Sequence, residues 1–94
     1  MDIAKSDLVQ ATMGRERGRY FFVLAVEEDY LLLVDGKSRR IESPKRKKRK
    51  HVQFVAVSDA RVAQKIRNDE KITNSEIRRA LALCGEQGNE NREG

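Results

Sequence analysis

Apolar and polar positions divide the chain into a strand-like first part and a helix-like second part. Residues 7–13 alternate through Val9 and Ala11, and residues 19–27 return as a second strand rich in β-branched and aromatic side chains. In that second strand Tyr20, Phe22, Leu24 and Val26 share one face, while Phe21, Val23 and Ala25 share the other. Both faces are therefore apolar, which an open sheet in water does not tolerate. Either the sheet curls round one face while helices cover the other, or the Tyr20 and Phe22 side meets a ligand. Glu27, Glu28 and Asp29 make an acidic turn before a third strand at residues 30–34. Asp35-Gly36 then predicts a type I′ hairpin, with positive φ at both central residues, into a short fourth strand over residues 38–42. Pro44 ends that strand, and residues 51–57 form the fifth.

The period changes after Ser58, which is placed to cap a helix over residues 59–67 that buries Val62, Ala63 and Ile66 and stops at Asn68 and Asp69. Thr73 and Glu76 then form a capping box, with Ile72 and Ile77 at the positions of a hydrophobic staple. The helix they start covers residues 74–83, with Ile77, Ala80, Leu81 and Cys84 on one face and Gly85 as terminator. The predicted chain is thus mainly β. A small five-stranded antiparallel barrel spans residues 1–57, with Ile3 packed on it; two short helices follow at 58–85 and a disordered polar tail at 86–94.

Charge changes this picture more than composition does. Ninety-four residues make one domain, and 37% charged against 5% aromatic residues leaves only a small core. The net charge of +5 calls for a polyanionic partner or merely confers solubility. Its distribution says more, because residues 37–50 hold nine Lys or Arg and one acid, whereas the remainder holds eleven basic and fourteen acidic residues. The positive excess is local. Six consecutive cations, Lys45, Arg46, Lys47, Lys48, Arg49 and Lys50, repel one another, which predicts a solvated loop or strand edge. The lone Cys84 makes no internal disulfide and reads as a packing thiol in a reducing compartment. With no run of about 20 apolar residues, the expectation is a cytoplasmic monomer away from any membrane.

Catalysis finds little support. His51 is the only histidine and has no nucleophile or orienting carboxylate beside it in sequence. The acids at 27–29 lack the spacing of a calcium loop, and residues 14–18 are not followed by the Gly-Lys-Ser/Thr of a nucleotide-triphosphate loop. The expectation is a non-catalytic protein with no cofactor, no metal and no small-molecule substrate. Two basic elements point to nucleic acid. One is the glycine turn that carries Arg15, Arg17, Gly18 and Arg19, with Tyr20 at its mouth as the best placed of the strand aromatics to stack on a base. The other comprises Lys37, Arg39, Arg40, the run Lys45 to Lys50, and His51. Brought to one rim, they would form a groove that follows a phosphate backbone. Arg78 and Arg79 read simply as exposed helix positions.

The stretch DLVQATMGRERGRYFFV resembles the KOW motif, with Asp7, Val9, Ala11, Gly14, Arg17, Gly18 and Val23 at the motif's places. Phe21 stands where the family often has a glycine, and Ser6 precedes Asp7 where glycine is common. Over residues 6–57 the order of glycine–arginine turn, acidic turn, Val-Asp-Gly and lysine-rich stretch before a histidine is similar to KOW-type large-subunit ribosomal proteins and their small bacterial relatives. That resemblance implies an SH3-like barrel that binds structured, ribosomal RNA as a ribosome-associated protein. It leaves the two helices without a role. Two other readings remain: a KOW module that binds a protein in a transcription or translation complex, and a nuclear factor in which PKRKKRK at residues 44–50 is an import signal.

Overall fold

The doubly apolar second strand is buried on both sides. A computed structural model describes residues 2–93, with side chains described through Cys84. Its strands are β1 (Leu8–Ala11), β2 (Tyr20–Glu27), β3 (Tyr30–Val34), β4 (Lys45–Lys48) and β5 (Val52–Ala56), and its helices are α1 (Arg61–Arg67) and α2 (Asn74–Glu93). All strand pairs are antiparallel and form one sheet in the order β4-β3-β2-β1-β5. Phe21 and Val23 of β2 join Ile3, Val9, Ala11, Leu31, Leu33 and Val52 in one core cluster. On the opposite face Phe22 packs with Leu8 and Val34 against Val62, Ala63, Ile66 and Ile77 of the helices. Full burial of a Phe or Leu side chain contributes roughly 1.5–3 kcal/mol, so each face of β2 anchors its own half of the core.

Register shifts between Val23 and Ala25 in the β2–β3 pairing, and between Leu8 and Val9 against β5, bend the sheet. A single 3-10 turn, Arg49–His51, carries the chain from the β3 edge to the β1 edge. The sheet does not close, and β4 and β5 remain its two edges.

Two predicted elements differ. Residues 38–42 form no strand, and Asp35 does not take the positive φ that a type I′ turn requires, although Gly36 does at 76°. The Asp35 carboxylate instead accepts the amides of Lys37 and Arg39 at 2.9 and 2.7 Å, and Asn74 Oδ1 accepts the Ile41 amide at 2.9 Å. Side chains have taken the donors that a ladder would have used. The fourth strand lies later, in the basic run itself.

In the helical part, α1 begins at Arg61 and not at residue 59, and its N-cap is Ala60 with no side-chain cap bond; Ser58, expected as the cap, instead accepts the Ala60 amide on Oγ at 3.1 Å. The capping box is present: Thr73 N donates to Glu76 Oε1 at 2.9 Å and Glu76 N to Thr73 Oγ1 at 3.2 Å. α2 continues through Gly85 to Glu93, where the sequence predicted termination and a disordered tail. Glycine within a helix costs only about 1 kcal/mol relative to alanine, so it does not force an end. Cys84 packs half-buried against the helix-side cluster, and burial pushes its thiol up from the ordinary value.

Candidate nucleic-acid interface

The glycine turn between β1 and β2 lies against the basic segment. Gly14 and Gly18 take φ of 84° and 88°, and the turn closes through Gly18 N donating to Ala11 O at 2.8 Å. One acid inside it makes the long-range contacts. Glu16 is buried, and its carboxylate accepts from Arg39 Nη2 while Lys47 Nζ stands 3.7 Å from its other oxygen. Two further contacts tie the turn down: Arg19 Nη1 donates to Ser38 Oγ at 3.2 Å and Thr12 N to His51 O at 2.9 Å. The arginine turn thus touches the basic segment at Ser38, Arg39, Lys47 and His51.

The basic run is a strand because its side chains alternate. In the register Leu31↔Lys47 and Leu33↔Lys45, both lysines point to the side where Glu16 enters, while Arg46 and Lys48 face the other way. Lys47 is buried there, contrary to the expectation that six like charges stay solvated; the Glu16 carboxylate compensates its charge. Arg46 lies 3.7 Å over the Tyr30 ring and donates to Glu27 Oε1 at 3.2 Å. Arg49 donates to the carbonyls of Ile3 and Glu28, each at 3.2 Å. Arg40 Nε stands 3.8 Å from Glu42 Oε2, Lys45 and His51 are half-buried, and Tyr20 is 42% exposed.

The predicted site residues therefore divide. Arg39, Lys47 and Arg49 are engaged within the fold, and Gly18 shapes the turn. Arg15, Arg17, Arg19, Lys37, Lys48 and Lys50 are exposed and form no ion pair among the described residues. Sequence reasoning missed Glu16, because one acid among arginines looks like a solvated residue; its flanking glycines, which let a turn fold inward, were the available signal. Arg78 was missed as well. Its Nη1 donates to Gly36 O at 2.6 Å, fastening α2 to the loop after β3.

The Glu16 carboxyl is held below its ordinary value of 4.5, chiefly by the Arg39 hydrogen bond, against desolvation and with the field of Arg39, Lys45 and Lys47. Glu42 is lowered first by Asn74, and Glu76 first by Lys65. A native-state value depressed below the unfolded one gives stability that is present above the unfolded value and lost as pH falls through the native value. The expected result is a melting temperature that holds near neutrality and falls below about pH 4.5, read by circular dichroism melts. No fall through the acid range would mean that these pairs do not hold in solution.

Among the described residues no group of three or more His, Cys, Asp or Glu is arranged to hold a metal ion, and no helix is long and apolar enough to cross a membrane. Comparison with protein-family models and with curated proteins finds no match to the chain.

Proposed function

We propose that the chain is a small SH3-like barrel of the KOW kind and that it binds structured RNA without catalysis, ribosomal RNA in the ribosome being the partner its motif implies. The observation that carries the reading is the junction made by Glu16, which seats the arginine turn on the lysine strand and leaves Arg15, Arg17, Arg19 and Lys37 exposed on the turn and the loop after β3, with Lys48 and Lys50 exposed further along the basic run. The barrel is supported by β1 pairing with both β2 and β5, by the two bulges, and by the 3-10 turn that bridges the sheet edges. Ser6, which stands where the similar family commonly has glycine, has a φ of 77°.

Six neutralised phosphates correspond to a log–log salt slope of roughly −4 to −5. Filter binding to a structured RNA between about 50 and 300 mM salt measures it. Changing Arg15, Arg17 and Arg19 together to alanine should weaken binding and make the slope shallower by about 2 to 3. The melting temperature should stay nearly constant, since exposed arginines contribute little to stability. RNA affinity that is absent or insensitive to salt would overturn the reading in favour of a protein-binding module. The import-signal reading is disfavoured because residues 45–48 are a paired strand with Lys47 buried, not an accessible extended tail.

A further inference from the structure

Beside the arginine turn, three separate parts of the chain enclose an open groove of about 540 Å³. Arg19 and Tyr20 come from the start of β2, Lys37 and Ser38 from the loop after β3, and Arg78, Leu81 and Ala82 from α2. Three cations, an exposed aromatic ring and an apolar helix wall thus border one space. A phosphate alone would use only the cations. The groove falls in the range of roughly 300–1,000 Å³ usual for clefts that take a small molecule. Its one acid, Asp35, is already engaged by the amides of Lys37 and Arg39 and by Ser38 Oγ, which donates to it at 3.0 Å.

The two guanidinium groups are also held in place. Ser38, fixed by Asp35, accepts from Arg19 Nη1 at 3.2 Å, while Arg78 is tied to Gly36 O and, through Nη2, to Ser75 Oγ at 3.0 Å. Each guanidinium has five N–H donors and spends only part of them on these contacts, so oriented donors remain for a ligand. Little side-chain entropy is then lost on binding.

We propose that this groove is a subsite for one unpaired nucleotide of the bound RNA. The base stacks on Tyr20 against the Leu81 and Ala82 wall, and the adjoining phosphate is held by Arg19 and Lys37. A base inside a duplex has no free face to offer, so the RNA that fits best carries a bulge or loop beside its paired backbone. The proposal rests on the RNA-binding reading and gives α2 a part in it.

Two hairpin RNAs of equal charge test it, one fully paired and one with a single bulged 2-aminopurine. The bulged RNA should bind about tenfold more tightly to the full chain, as base–aromatic stacking provides, and its fluorescence should fall on binding. With Tyr20→Ala the two affinities should converge and the fluorescence change should disappear, whereas Tyr20→Phe should keep both. Equal affinities for the unaltered chain, or a preference that survives Tyr20→Ala, would overturn the subsite while leaving the backbone contacts standing. Failure of both RNAs to bind would overturn the functional reading and the subsite together.

Discussion

Replacing Glu16 with alanine should destabilise the fold by about 3 kcal/mol, lowering the melting temperature by roughly 15 °C for a domain of this size. The reason lies in what is left behind. Arg39 and Lys47 both direct a cation at this carboxylate, and Lys47 is only 8% exposed. Removing one member of a buried ion pair leaves an uncompensated charge, which costs far more than the pair contributes. The companion variant Lys47→Met isolates that effect. In a double-mutant cycle measured by urea denaturation, adding Lys47→Met to Glu16→Ala should recover at least half of the loss, because the buried cation is then gone and the remaining one, Arg39, is 34% exposed and reaches water. A Glu16→Ala cost below about 0.5 kcal/mol, the level of an ordinary surface substitution, would mean that the turn is not anchored by this residue. RNA binding provides an independent readout: loss of the anchor should weaken it even though the variant carries one more net positive charge, because the two cationic segments would no longer be held together.

The contrast between Glu16 and the lysine run explains which parts of the fold were legible. β2 was readable because two apolar faces cannot both lie open to water, and Phe21 and Phe22 do enter different clusters while Tyr20 at the strand's start stays exposed. Capping at Thr73 and the buried faces of both helices were readable because they depend on residues three or four apart. What failed was set by partners distant in sequence. The strand character of Lys45–Lys48 depends on an unpaired β3 edge and on Glu16, and neither can be seen within the run itself. Residues 38–42 look like a strand until Asn74, more than thirty positions away, takes the Ile41 amide. For the candidate interface, residue types were legible but the division between exposed and engaged cations was not. That division depends on which side chains of β4 face the core, and a one-residue change of register reverses it.

The largest effect of adding a single methyl group should fall at Gly36. Its φ of 76° already disfavours any other residue, and an added Cβ would lie 2.4 Å from the backbone carbonyl oxygen of Asn74 and 3.0 Å from Arg78 Cγ. Gly36→Ala should therefore combine a backbone cost of about 1–2 kcal/mol with overpacking of about 1–3 kcal/mol, for a total near 3 kcal/mol. Gly18→Ala is the control, since its φ of 88° carries a similar backbone cost while nothing lies within 4 Å of the new methyl group. The difference between the two variants in urea denaturation measures how tightly the first turn of α2 sits on the loop after β3. Equal costs would mean that α2 is loosely seated. A larger cost at Gly36 carries a second consequence, because the same contact sets Arg78 against the Gly36 carbonyl and so fixes one wall of the groove beside Tyr20. Gly36→Ala at a temperature where it remains folded should then lose the preference for a bulged RNA.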